Sequence, residues 1–162
     1  IILGMENGEA AKASEGVVVC LPPEYTKATL EGISSSFTNQ IVISPVVPMK
    51  FGKVVSYDPP ESGSAAIDIQ NVLPDSAKVV SAYHNIPAKG LANFEKPLDY
   101  DVVICGDDDE AKAIVSKLTE EMPSLKAIDA GPLEISSMIE AITPLIINMN
   151  KKHKHEFSIK FI

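Results

Sequence analysis

The chain has 162 residues, 45% of them apolar, a net charge of −8 and a pI near 4.8. That length and apolar share suit one compact domain with a real core, and the acidic balance argues against general nucleic-acid binding, which needs a basic footprint. No stretch reads as a membrane span and no signal-peptide pattern is seen, while Cys20 and Cys105, both inside apolar strand patterns, read as two buried free thiols in a reducing cytoplasm with no metal-ligand spacing.

The first four residues, Ile1-Ile2-Leu3-Gly4, look like the end of a strand whose beginning is missing, so the chain reads as a fragment or a processed product. A short helix is expected over 7–14, with Asn7 as N-cap and Glu9 in its first turn. Val17-Val18-Val19-Cys20-Leu21 is a continuous apolar run, as in a strand covered on both faces, and Pro22-Pro23 stops it. A helix over 24–33 offers Ala28, Leu30 and Ile33 to the core. Ile41-Val42-Ile43-Ser44 is a second buried strand, ended by Pro45 and followed by Val46-Val47-Pro48. These prolines serve either as strand stops or as a rigid wall for a flat ligand. Residues 50–64 read as a loop, and Ser62 or Ser64 can cap a helix over 65–73.

A strand over 79–83 follows, stopped by Pro87, which cannot donate to a sheet ladder. It delivers His84, Asn85 and Ile86 to one sheet edge, where open α/β sheets place their ligand crevice. His84 is either the centre of such a pocket or a turn histidine with an ordinary hydrogen bond. After a loop over 89–98, Tyr100 to Cys105 forms another strand, ended by Gly106. Asp107-Asp108-Asp109-Glu110 has the look of a metal site, but consecutive side chains diverge, and acidic residues at the start of the amphipathic helix 110–121 cap free N–H groups. That helix offers Ala113, Ile114, Val115 and Leu118 as its apolar set. A last strand over 126–132 leads to a helix over 134–148 that is apolar on most sides and needs cover from the domain or a partner. Pro144 should bend it and free the carbonyl of Glu140. In the terminal 156–162 stretch, alternation puts Phe157, Ile159 and Phe161 on one face. Alternating buried strands and helices mean an α/β fold with a doubly wound parallel sheet.

Several of these segments together resemble a known family. Ala82-Tyr83-His84-Asn85-Ile86-Pro87-Ala88, Cys105-Gly106-Asp107-Asp108-Asp109-Glu110, Asp129-Ala130-Gly131-Pro132-Leu133, Ile142-Thr143-Pro144-Leu145-Ile146 and Ile159-Lys160-Phe161 are similar in order and spacing to the NADPH-dependent reductases of the deazaflavin coenzyme F-420, and Ser44-Pro45-Val46-Val47-Pro48 fits the same pattern. The resemblance covers nearly the whole chain. It implies an NAD(P)-binding Rossmann-like fold, N-terminally truncated, and a cytoplasmic homodimer that ferries hydride between NADP and F-420. The expected division is 1–133 for the remainder of the NADP-binding domain and 134–162 for a C-terminal helix and strand that bind the second coenzyme and dimerise. The glycine-rich turn for the pyrophosphate would lie upstream, so this chain alone should bind NADP poorly.

By position, the resemblance puts Pro22, Pro23, Val47, Pro48 and Ala88 on the NADP side, and His84 and Ile86 beside the nicotinamide, His84 orienting a ring and not exchanging a proton. Thr143 and Phe157 fall on the deazaflavin side. Pro23 stands where the family often has an aromatic residue, Ala141 where serine is common and Phe157 where leucine is common. No metal and no nucleophile are implied; the two coenzymes carry the chemistry. Two other readings are an imine- or ferric-reductase type of NADP enzyme on the same fold, and an inactive truncated dimerisation module.

Overall fold

The computed structural model describes residues 3–92 and 97–162, so the Ile1-Ile2 part of the expected first strand and the centre of the 89–98 loop lie outside the described residues. In chain order the elements are α1 (Asn7–Lys12), β1 (Gly16–Val18), α2 (Pro23–Ile33), β2 (Ile41–Ser44), β3 (Met49–Phe51), β4 (Val55–Tyr57), α3 (Ala65–Val72), β5 (Lys78–Ser81), α4 (Ala88–Leu91), β6 (Tyr100–Gly106), α5 (Asp109–Glu120), β7 (Leu125–Gly131), α6 (Ser136–Glu140) and α7 (Ile142–His153). Short 3-10 turns precede β2 and α6.

The main sheet has the order β1-β2-β5-β6-β7. β1, β2 and β5 run parallel, as do β6 and β7, but β6 runs antiparallel to β5, with Val80 opposite Gly106 and Ser81 opposite Cys105. The sheet is therefore mostly and not wholly parallel. The carboxyl ends of β1, β2 and β5 share one edge, whereas Gly106 and Gly131 end at the other. Not all the strand tips converge on one pocket, as the alternation of elements suggested.

One face of the sheet (Val42, Val79) packs with Leu30, Ala66, Ile69 and Leu133. The other (Ile43, Val80, Val102, Ile104) packs with Ala111 and Val115 of α5. The parallel ladders place Val42 beside Val79 and Ile43 beside Val80, so each β-branched pair reinforces one face. β1 lies at the edge of this sheet, and its cover is correspondingly thin: Val18 is 50% exposed, and Cys20 is exposed rather than buried. Cys105 is buried as expected.

Other expectations shift locally. Glu6, not Asn7, stands at the N-cap of α1, without a side-chain bond. α2 starts at Pro23, whose missing N–H costs nothing at a first helical position, and it buries Thr26 and Leu30 while Ala28 is exposed. The 50–64 stretch contains an antiparallel hairpin, β3 with β4. α3 is capped as expected, Ser64 Oγ accepting from Ile67 N–H at 3.1 Å. On α5, Val115 faces the core, but Ile114 and Leu118 are about half exposed, and Ala113 is exposed too; Ala111, Lys112 and Thr119 are buried instead. The apolar helix 134–148 is split at Ala141, three residues before Pro144, whose ring would press on the carbonyl of Glu140 in an unbroken helix. The 156–162 tail is not a strand: Asp101 N–H donates to the Ile159 carbonyl and the Asp101 carboxylate accepts from Phe161 N–H at 2.6 Å.

Burial ranks the cost of truncation. Ile69, 1% exposed beneath the sheet, should lose roughly 2–5 kcal/mol as Ile69→Ala, and Leu118→Ala on α5, 51% exposed, less than about 1 kcal/mol. Urea unfolding midpoints of the two variants check this order.

Candidate functional site

At the edge where β1 and β2 end lies a groove of about 750 Å³. Pro22 and Pro23 enter it from the start of α2, Val46, Val47 and Pro48 from the chain after β2, Met49 and Phe51 from the hairpin, Pro59 and Pro60 after β4, and Ala65 and Ile69 from α3. Proline fixes φ and carries no N–H, so five of these positions present stiff backbone without a free donor. Four of the residues expected on the NADP side, Pro22, Pro23, Val47 and Pro48, thus lie together on one wall system.

His84, Ile86 and Ala88 do not line this groove. β5 ends at Ser81, shorter than the alternation suggested, because Tyr83 takes a left-handed backbone (φ 69°) and Ile86 N–H closes a turn on the Tyr83 carbonyl at 3.2 Å. A non-glycine residue there is strained, and the Tyr83 hydroxyl, 2.8 Å from Thr119 Oγ1, helps hold it. The turn tucks His84 inward, to 6% exposure. Neither ring nitrogen has a hydrogen-bond partner among the described residues; the Ser44 backbone lies close enough to favour the protonated ring slightly but is not at bonding geometry. Burial is the larger effect and lowers the His84 pKa to about 4, so the ring is neutral at neutral pH. Ala88 is exposed at the start of α4 and Ile86 is half-buried.

The C-terminal segment clamps this turn. Thr143 Oγ1 donates to the His84 carbonyl at 2.9 Å. Ser158 Oγ donates to the Asn85 carbonyl at 3.0 Å and accepts from Asn85 Nδ2, which also reaches the Asp101 carbonyl at 2.8 Å. Phe157 lies apart from both, its N–H donating to Asn150 Oδ1 and its ring edge-on to His153 and His155, with centroids 5.7 and 5.3 Å away. Thr143 and His84 are therefore joined, whereas Phe157 belongs to the turn after α7.

Sequence reasoning missed the side chains of Glu140, Tyr57, Asn148 and Ser158, and placed Asn85 at the sheet edge without giving it a role. Glu140 is wholly buried. Its carboxylate accepts from the Tyr57 hydroxyl at 2.7 Å and from the N–H groups of Ala65 and Ala66 at 3.0 and 3.1 Å. Burial raises its pKa, and the three donors oppose that rise; the Tyr57 hydroxyl is pushed up by its own burial first and then by the same carboxylate. Asn148 of α7 holds both backbone groups of Val55, at 2.9 and 2.7 Å. A lone glutamate in the apolar run Ile139-Glu140-Ala141 was the available signal for the first of these. The acidic run is spent on structure: Asp107 accepts from Leu133 N–H, Asp108 caps α5 through Ala111 N–H, and Asp109 and Asp129 hold Lys112, whose buried stem carries its ammonium out to them.

Residues 2–48 match the family described as NADP oxidoreductase, coenzyme F420-dependent. The F420-dependent NADP reductase of Methanocaldococcus jannaschii is 41% identical over 158 residues, 94% of this chain and 70% of that protein. The chain belongs to the F420-dependent NADP reductases. A second member, from Methanothermobacter marburgensis, is 34% identical over 157 residues, again 94% of this chain and 70% of the relative. The fold agrees with solved structures: one from Arthrobacter sp. FB24 superposes with a TM-score of 0.83 at 22% identity, over 95% of this chain and 72% of that one. An NADP-bound pyrroline carboxylate reductase from Plasmodium falciparum gives 0.53 at 15% identity, over 96% and 54%. The Rossmann-like fold that the resemblance implies is the fold of these neighbours. No helix among the described residues is long and apolar enough to cross a membrane.

The neutral buried imidazole gives a pH signature. In the unfolded chain His84 takes up a proton near pH 6.5, in the folded one only near 4. This proton linkage therefore contributes nothing above about pH 7 and destabilises progressively as pH falls from 6.5 towards 4, by about 2.5 kcal/mol at pH 4.5. His84→Gln should remove that share of acid sensitivity, seen as a smaller fall in urea unfolding free energy between pH 7 and 4.5.

Proposed function

We propose that the chain works as a hydride-transferring oxidoreductase between NADP(H) and coenzyme F-420. Family membership over 94% of the chain, at 41% identity to a curated reductase, carries this reading. No observation favours the imine- or ferric-reductase reading or an inactive dimerisation module. NADPH-dependent loss of the F-420 absorbance, measured with the purified full-length protein, tests it; absence of any coupled NADPH oxidation there overturns it.

Within that reaction the residues of this chain bind and orient. The nicotinamide end of NADP would lie in the proline-walled groove against Pro22, Pro23, Val47 and Pro48, with His84, Ile86 and Ala88 at the far side of the same sheet edge. The groove's size, its apolar lining and the tip position of β2 support this placement. The coenzymes supply the hydride chemistry, and the protein's contribution is to bring donor and acceptor carbons to roughly 3–3.5 Å. His84, neutral and without a proton to exchange near pH 7, would orient a ring. Thr143 and Phe157 would stand on the deazaflavin side, Thr143 reaching it from the first turn of α7.

Residues 134–162 would build the second coenzyme's wall and a homodimer contact, with 1–133 as the NADP-binding part. Met138, Leu145 and Phe161 are 67, 58 and 54% exposed, apolar side chains that a second copy would cover. A cytoplasmic setting fits the two free thiols.

His84→Ala should slow single-turnover hydride transfer about tenfold, ~1.4 kcal/mol of barrier, with a folded protein by circular dichroism. Unchanged single-turnover rates would return His84 to a purely structural role. Deleting 156–162 should give monomers by light scattering that no longer bind F-420 in a fluorescence titration; dimers that still bind it would remove the tail from both roles.

A further inference from the structure

Glu140 is fully buried, and it is not needed to cap α3 in the ordinary way: Ser64 Oγ already accepts from Ile67 N–H, and the Ser64 carbonyl accepts from Asp68 N–H. The carboxylate instead ties together three parts of the molecule. Through Ala65 and Ala66 it holds the first turn of α3, and through the Tyr57 hydroxyl it holds the end of the hairpin. Both elements wall the groove, α3 with Ala65 and Ile69 and the hairpin with Met49, Phe51 and the Asp58-Pro59-Pro60 run that follows Tyr57. On its own side Glu140 closes α6, one residue before the break at Ala141, and three residues further on Thr143 holds the His84 carbonyl.

We propose that Glu140 is a positioning residue for the hydride transfer, fixing the α3 and hairpin wall of the groove relative to the turn that carries His84. This rests on the function proposed above. Its reach is through other groups, since the carboxylate lies behind the wall and is closed to solvent. Glutamine keeps the size of the side chain but offers one carbonyl oxygen in place of two, and turns an N–H₂ towards a backbone N–H or the tyrosine hydroxyl. The wall would then relax by a fraction of an ångström, which is enough to lengthen a donor–acceptor approach.

The test compares the full-length wild type, Glu140→Gln and Tyr57→Phe by stopped-flow single turnover with both coenzymes saturating, beside melting temperatures and NADPH dissociation constants. Positioning predicts that Glu140→Gln slows the transfer about tenfold below its melting temperature, while NADPH affinity changes less than about threefold, and that Tyr57→Phe shows the same split more weakly, about threefold in rate. A merely structural carboxylate predicts a lowered melting temperature with the transfer rate within twofold of wild type, and that result overturns the proposal. Should Glu140→Gln not fold, Tyr57→Phe, which keeps both backbone bonds, decides alone: a wild-type transfer rate overturns the proposal and a slowed rate upholds it. A wild type that does not pass hydride from NADPH to F-420 would overturn the function itself, an outcome distinct from any of these.

Discussion

One buried carboxylate with three donors organises the region around the groove. Removing Glu140 would leave the N–H groups of Ala65 and Ala66 and the hydroxyl of Tyr57 without their present partner, and each buried donor so stranded costs roughly 1–3 kcal/mol. A carboxyl so far from water is expensive to ionise, and the positive end of α3 and the tyrosine, which meet it directly, offset part of that cost. The C-terminal segment is thereby fastened to the rest of the fold by polar bonds at defined points, Glu140 on α3, Thr143 on the His84 carbonyl, Asn148 on β4 and Ser158 on Asn85. Apolar packing alone would let the half-exposed α7 slide; these bonds fix its register.

The sheet reversal between β5 and β6 sets what can reach the groove. Because Val80 lies opposite Gly106, the first residues of β6 come to the edge where β5 ends, and Asp101 there receives the tail and Asn85. The glycine at 106 suits this crossing: a Cβ would sit 3.2 Å from both the Val79 carbonyl and the Lys112 stem. Meanwhile the acidic run and Gly131 are carried to the opposite edge, where the carboxylates work as helix cap, backbone acceptor and partners of Lys112.

Much of this could be read from the residues. The apolar runs at 41–44 and 100–105, the cap at Ser64 and the break near Pro144 follow from periodicity and backbone chemistry that act within a few residues. The prolines of the groove were visible for the same reason. What escaped depended on neighbours remote in the chain. β1 reads as a buried strand by composition, yet it stands at a sheet edge, and exposure is decided by what lies beside it. The hairpin at 49–57 is held by Asn148 and Glu140, over 80 residues away, and its own stretch, Met49-Lys50-Phe51 to Val55-Ser56-Tyr57, is too short and mixed to announce itself. The turn at Tyr83 needed a left-handed residue that sequence does not mark, and Ile114 and Leu118 look like core by spacing although the sheet is met through Ala111, Val115 and Thr119.

The Glu140 bond also bears on where negative charge can sit. A helix start is the usual seat for a phosphate because its first N–H groups are free and its dipole is positive. At α3 that seat is taken, its four leading N–H groups meeting Glu140 twice, the Ser64 hydroxyl and the Ser64 carbonyl. α2 opens with Pro23, which has no N–H, and the groove beside it is lined by Glu24, Asp58, Asp68 and Lys27, with Asp58 paired to Lys50 at 2.8 Å. With the α3 donors taken and acidic side chains along its lining, the cleft is a poor seat for a phosphate.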